Sequence, residues 1–389
     1  MQSVLIRGGT LITPRERLVG TVGIRNGRLV HVGAGAPSGP WDQEIDARGL
    51  YVLPGFLDLQ VNGFGGHDFM SGDPADVISV ANLLPHFGVT GFLATAGTSP
   101  RGVMTRSLKA LAQGSERIEA NPLASGLLGI HVEGPYISHL HKGAHDPGQI
   151  RPFDPEEWAE WVDVAGEMRM LTLAPEVPRN LAAIPDLLAS GVIISMGHSD
   201  ASYDEALEAA AAGVRCATHA YNGMRGLHHR DPGVLGAILS QADICCGVIA
   251  DGLHVHPAAL RILFRAKGPE SIFLVTDAIS VAGLPPGTYD WWGRKVVFDG
   301  VAPRLQSGVS LAGSALDMAR ALRNAHEYMG ATLEEAAAMA ALTPARVLGI
   351  EGERGSLAPG LRADLVLLDK DWRVVRTIIK GQTAYLSEE

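Results

Sequence analysis

The chain is short of four things, and each shortage narrows the field. Cysteine is scarce: Cys216, Cys245 and Cys246 are the only three among 389 residues. Three thiols with apolar neighbours cannot form a disulfide scaffold, so reduced, buried cysteines in a cytoplasmic protein are expected. Charge is thin, at 19%, and 32 Lys and Arg against 42 Asp and Glu leave a net charge of −10. With no Lys/Arg-dense segment, neither nucleic acid nor an anionic membrane is expected as a partner. A small anionic ligand is not excluded, because one pocket can be positive on an acidic protein. Apolar runs fall short of the ~18–20 residues that a membrane-spanning helix needs, and no signal peptide is read at the N-terminus. Familiar motifs are missing as well: G-x-S-x-G, G-x-x-x-x-G-K-[ST], H-E-x-x-H, and G-x-G-x-x-G after a strand.

What the chain does have is apolar side chains, 46% of the total, and 47 glycines. A large core can be buried, and the glycine content is well above the usual ~7%. No G-X-Y period absorbs the glycines, so they belong to many separate turns. Length alone allows two or three domains at roughly 150 residues each.

Val4 to Leu11 and Val22 to Val32 read as strands, the second folded back at Asn26-Gly27, a strong hairpin signal. Ala363 to Asp369 and Val374 to Ile379 read the same way. Neither end can bury a core alone, so residues 1–53 and 348–389 are expected to form one small β-sandwich domain. Between them, residues 54–347 alternate short apolar runs with helical stretches. The runs are Phe56–Val61, Val89–Ala94, Leu127–Val132, Met170–Ala174, Val192–Met196, Val214–Thr218, Ile244–Ala250 and Ile272–Thr276. Helices are read at Pro74–Phe87, Pro155–Met168, Tyr203–Ala212, Pro257–Ala266, Ala315–Tyr328 and Leu333–Leu342. Eight such repeats point to an α/β fold, a (β/α)8 TIM barrel, with a doubly wound open sheet as the alternative.

Side chains suited to metal or acid–base work follow the ends of these runs: Glu133, Glu176, His198, His219, His254 and Asp277. In a parallel barrel all strand C-termini open on one face, so residues far apart in sequence converge there. One carboxylate and two imidazoles suit a catalytic Zn²⁺ or similar ion, which takes three protein ligands and keeps an open position. Glu133, His198 and His219 fit that set, and Asp277 fits a general base beside it. The three cysteines have no evident catalytic partner and read as core packing.

At these residues the chain resembles the amidohydrolase superfamily and, within it, the amino-sugar-phosphate deacetylases. The likeness is carried by PGFLDLQVNGFGG (Pro54–Gly66), GIHVEGP (Gly129–Pro135), KGAHDP (Lys142–Pro147), MGHSDA (Met196–Ala201) and THAYNGM (Thr218–Met224). HHRDPG (His228–Gly233), DGLHV (Asp251–Val255), VTDA (Val275–Ala278), LAGSAL (Leu311–Leu316) and GSLAPGLRADLVLLD (Gly355–Asp369) continue it. The resemblance implies Glu133, His198 and His219 as metal ligands and Asp277 as the catalytic acid/base. It implies His145, with Ala144 beside it, near the substrate carbonyl, where a donor would stabilise an oxyanion. Asn222, Gly223, Arg230, Asp251 and His254 are implied as substrate contacts, and Leu311, Ala312 and Gly313 as a wall over the sugar.

Many superfamily members carry H-x-H after the first strand, which supplies a second ion. Here the position reads Gln60-Val61-Asn62. Neutral amides are poor ligands for first-row metals, so one divalent ion is expected, Zn²⁺ foremost, with Fe²⁺, Co²⁺ or Mn²⁺ as alternatives. His67, His139 and His141 are the nearby imidazoles that could serve a second ion. Glu176 reads as a structural carboxylate.

The implied reaction is hydrolysis of N-acetylglucosamine 6-phosphate to glucosamine 6-phosphate and acetate, by a homodimer or homotetramer. Whether Arg230 or His254 acts within one subunit or across an interface stays open. Competing readings are an amidohydrolase for an N-acyl amino acid or cyclic amide, and a non-catalytic barrel scaffold.

Overall fold

The computed structural model describes residues 3–13, 16–35, 37–166, 168–308 and 310–388. The eight apolar runs form a parallel sheet paired in chain order. Its strands are Phe56–Val61, Val89–Gly97, Gly126–Glu133, Met168–Leu173, Ile193–Met196, Cys216–Ala217, Cys245–Val248 and Ile272–Leu274. The ring closes where the last strand meets the first. There the Asp277 amide donates to the Gln60 carbonyl and the Asn62 amide to Ala278, each at 2.8 Å. That closure makes the fold a TIM barrel and excludes the open sheet. Strands covered on both faces are rich in apolar side chains; the first two are buried throughout, and a polar residue among them is paired, Asp58 accepting from Thr276 Oγ1 at 2.6 Å.

Most helices between the strands start at sequence-encoded caps. Asp73 accepts from the Ala75 amide ahead of Pro74–Leu83, and Asp154 accepts from Glu156 and Glu157 ahead of Pro155–Ala165. Ser202 with Glu205, and Thr332 with Glu335, form reciprocal capping boxes. Several boundaries differ from the sequence reading. Asp317 accepts from the Arg320 amide, so the helix expected from Ala315 begins at Met318. Met168 opens the fourth strand instead of ending a helix; Glu167 lies outside the described residues. Three helices went unread, Arg101–Glu119, Asn180–Ala189 and Gly233–Ser240. So did an antiparallel hairpin unit after the eighth strand: Gly287–Trp291, Arg294–Phe298 and Pro303–Leu305.

The two chain ends share one eight-stranded sheet, in which Leu365–Leu368 from the C-terminal segment pairs with Tyr51–Pro54 from the N-terminal one. Period-two alternation sends its side chains two ways. Val52, Leu365 and Leu367 join the terminal domain's own core, while Leu53, Val366 and Leu368 pack into the barrel core. Both faces are therefore apolar, and Tyr51–Pro54 leads directly into the first barrel strand. Among the described residues no helix is long and apolar enough to cross a membrane.

Candidate active site

Glu133 closes the third strand, His198 and His219 follow the fifth and sixth, and Asp277 follows the eighth. All four meet at one end of the barrel. His198, His219 and Asp277 have φ values of 49°, 27° and 48°. Non-glycine residues rarely adopt this left-handed conformation, and three together at strand ends mark a site where local strain is held by its surroundings.

The Nε2 atoms of His198 and His219 are 3.1 Å apart, and each faces Glu133 Oε1, at 3.3 and 3.1 Å. Three lone-pair atoms pointed at one spot repel each other unless a proton or a cation lies between them. The donor set of one carboxylate and two imidazoles is one that a divalent metal takes, and these buried residues can hold such an ion. The surroundings fix the imidazole orientation: His198 Nδ1–H donates to the His141 carbonyl at 2.8 Å, leaving Nε2 free to ligate. Burial pushes the Glu133 carboxyl up, but hydrogen bonds from His198 and His219 prevail and hold it well below the usual range. Burial opposes charge on His219, yet its bond to Glu133 raises its pKa. The centre as a whole attracts positive charge.

Gly223 shows how tightly the ligand is packed. Its φ is +57°, and a Cβ there would lie 2.7 Å from His198 Nδ1. Gly223→Ala therefore strains the backbone and displaces the imbedded ring. It is expected to weaken metal binding by about 10–100-fold, as loss of an outer-shell partner does, in a chelator competition assay; unchanged affinity would contradict this packing role.

Asp277 is partly buried at the cavity, and its carboxyl is pushed up to about 6, first by desolvation and then by the Glu133 charge. Asn62 Nδ2 donates to Asp277 Oδ1 at 2.7 Å, and Gln60 Nε2 bridges Glu133 Oε1 at 2.8 Å and Asp277 Oδ1 at 3.3 Å. The two amides thus do more than replace imidazoles. They hold both carboxylates in place by donating to their oxygens. His141 Nε2 meets Asp200 at 3.0 Å and His67 Nδ1 meets Asp76 at 2.6 Å, so both imidazoles are engaged elsewhere.

The four residues line a cavity of roughly 330 Å³ together with Ala144, His145, Asn222, Gly223, His254, Leu311 and Gly313, all expected there from sequence. His145 Nε2 lies 3.9 Å from Glu133 Oε2. Burial, reinforced by His198, drops its pKa to about 3, so it is a neutral imidazole at physiological pH. Three expected residues sit elsewhere. Arg230 is exposed, its guanidinium 2.7 Å from His229 Nε2. The loop that carries it is closed on itself by reciprocal His228–Asp231 backbone bonds and by the Arg225–Asp231 ion pair. Asp251 accepts from His254 Nδ1 at 2.6 Å and orients that ring without lining the cavity. Ala312 points its methyl into an apolar cluster with Ile279 and Trp291.

Ile249, Ile279, Trp291, Trp292 and Ser310 also line the cavity and were not foreseen. The Trp-Trp-Gly string was the one available signal for the tryptophans. Glu176 accepts from Ser199 Oγ at 2.7 Å and the Asp200 amide at 2.6 Å, bracing the segment that follows His198. The cysteines are free, and burial pushes the Cys246 thiol up to about 12. They remain protonated and unreactive.

A TIM barrel that gathers a ligating Glu-His-His set and a neighbouring acid at its strand C-termini defines a class, the barrel hydrolases equipped to hold a metal ion. The chain belongs to the amidohydrolase family, whose model matches residues 51–384. It is 36% identical over 391 residues to the N-acetylglucosamine-6-phosphate deacetylase of Bacillus subtilis (strain 168), covering 100% of this chain and 98% of the relative. It is 40% identical over 334 residues to the N-acetylgalactosamine-6-phosphate deacetylase of Escherichia coli O157:H7, covering 86% and 87%. A mutant N-acetyl-D-glucosamine-6-phosphate deacetylase from Mycobacterium smegmatis, solved in complex with N-acetyl-D-glucosamine-6-phosphate, matches with a TM-score of 0.92. That structure is 33% identical and the match covers 100% of both chains.

Proposed function

We propose that the protein hydrolyses the N-acetyl amide of N-acetylglucosamine 6-phosphate, releasing acetate and glucosamine 6-phosphate. The observation that carries this reading is the convergence of Glu133, His198, His219 and Asp277 on one cavity. One divalent ion, Zn²⁺ foremost, would be held by Glu133, His198 and His219, supplying Lewis acidity that polarises a carbonyl and acidifies water. The rest is done by side chains. The Asp277 carboxylate takes a proton from the attacking water as its oxygen bonds to the amide carbon. Neutral His145 donates a hydrogen bond to the oxyanion that develops on the carbonyl oxygen. Asp277 then hands its proton to the nitrogen, the C–N bond breaks, and the amine leaves neutral. Asn222, Gly223 and His254 face the same cavity and suit the sugar hydroxyls and phosphate.

The charge state of Asp277 gives a pH dependence with a definite sign. It is a base only when ionised, so kcat/KM rises with pH through its pKa. That pKa is about 6 without a cation, and a bound cation lowers it further. The acid limb is therefore expected at or below about pH 6, approaching tenfold per pH unit. A profile that rises towards acid would contradict the assignment.

A second substrate deserves a direct comparison, since one relative at 40% identity is named for the galactosamine epimer. Acetate release from the two N-acetylhexosamine 6-phosphates and from unphosphorylated N-acetylglucosamine decides between them. The gluco phosphate is expected to give the highest kcat/KM. Preference for the galacto epimer would move the assignment to that sugar, and equal use of the unphosphorylated sugar would remove the phosphate from it. The assembly proposed is a homodimer, the commonest soluble arrangement, in the cytoplasm.

A further inference from the structure

The hairpin inserted after the eighth strand has its tip at the cavity. Trp291 pairs with Arg294, so Trp292 and Gly293 are the two central residues of the turn, with φ values of 50° and 73°. A two-residue turn of this type needs positive φ at both positions and strongly favours Asn-Gly. A bulky aromatic in the first position is a local conflict between sequence and backbone, and such conflicts are retained where the side chain has a task.

The indole of Trp292 is held from three directions. Its Nε1–H donates to Asp68 Oδ1 at 3.0 Å. Its far edge presses on Gly97, where a Cβ would lie 2.1 Å from the ring. Its face lies near-parallel to His145, with centroids 6.4 Å apart and planes at 28°. Trp291 stacks behind it at 4.3 Å, and Arg294 covers Trp291 while donating to the Ala144 carbonyl at 2.6 Å. The hairpin tip and the loop that bears His145 are thus one braced unit.

We infer that Trp291 and Trp292 close the acyl side of the cavity and set the length of the acyl group that the enzyme accepts. The inference rests on the deacetylase reading, in which His145 meets the carbonyl oxygen. The wall next to His145 then faces whatever is attached to the carbonyl carbon. That wall is apolar, made of Ala144, Ile279, Trp291, Trp292 and Leu311. The loops after the sixth and seventh strands bring the polar groups instead, Asn222 and His254. An acetamido sugar phosphate has one apolar appendage, the methyl of its acyl group, and the Trp292 Nε1–H is already taken up by Asp68.

The test is a kcat/KM series on N-acetyl, N-propionyl and N-butyryl sugar 6-phosphates with the metal-loaded enzyme. The parent is expected to fall by about 10-fold or more on lengthening to butyryl, since a methylene misfit is worth roughly 10–200-fold. Trp292→Ala is expected to raise the butyryl-to-acetyl ratio by about 10-fold or more, and Trp291→Leu, which keeps the turn residues, to raise it in the same direction. Trp292→Phe keeps a ring at the wall and loses the Asp68 bond; its ratio should stay near the parent's. If the ratio is unchanged in both Trp292→Ala and Trp291→Leu, or if KM rises equally for every acyl length, the acyl-limit role is wrong. A parent enzyme that releases no acetate from the N-acetyl compound would instead overturn the deacetylase reading beneath it.

Discussion

Asp277→Asn is expected to lower kcat by about 10²–10⁴-fold, the range for losing a positioned acid–base group. The substitution suits the site unusually well. Asn is the residue that best tolerates the left-handed backbone after glycine, so the φ of 48° at this position is kept. An amide oxygen can still accept the Asn62 hydrogen bond that now measures 2.7 Å. The amide cannot take a proton, and with it go both halves of the cycle, activation of water and protonation of the leaving amine. Folding stability should barely move, and metal content should be unchanged, because the Glu133, His198 and His219 donors are untouched. Steady-state kinetics, thermal unfolding and metal analysis on one preparation check all three. Turnover within a few-fold of the parent would remove Asp277 from the mechanism.

His219→Ala is expected to lose both the ion and the activity. It removes one of three donors, leaving Glu133 and His198 to hold a cation alone. The loss of metal affinity should exceed the ~10–100-fold that outer-shell changes cost, and should therefore exceed that of Gly223→Ala. Exogenous metal at high concentration should restore the Gly223→Ala enzyme more readily than the His219→Ala enzyme. Competition with protons adds a check. Glu133 raises the pKa of His219, and that proton must leave before the nitrogen can ligate, so metal affinity in the parent should fall as pH falls. Full metal content in purified His219→Ala would place the ion elsewhere.

The barrel was legible because its physics is written locally. A strand covered on both faces is mostly apolar, and the runs from Phe56 to Val61 and from Val89 onward are buried at every residue, the polar Asp58 and Gln60 included. The site was legible for a related reason: Glu133, His198, His219 and Asp277 each come just at or after such a run, and a closed parallel sheet brings those ends together. Other features depend on contacts that one-dimensional spacing does not contain. Gln60 and Asn62 read as missing imidazoles, whereas their donor role towards Glu133 and Asp277 appears only when the first and eighth strands close. Arg230 has the right chemistry for a phosphate; within one chain its loop is closed on itself by the His228–Asp231 bonds and leaves the guanidinium exposed. The hairpin at Gly287–Leu305 was hidden because its turn places a tryptophan where Asn would be expected. The helix Arg101–Glu119 was hidden because it begins without a side-chain cap.

Acetate release from N-acetylglucosamine 6-phosphate, followed while metal-stripped protein is titrated with Zn²⁺, tests the central claim most directly. Activity should start near zero, climb in proportion to added ion, and level off at one equivalent per chain. Undiminished activity in the stripped protein, or a plateau reached only at two equivalents, would contradict a single-ion centre built on Glu133, His198 and His219.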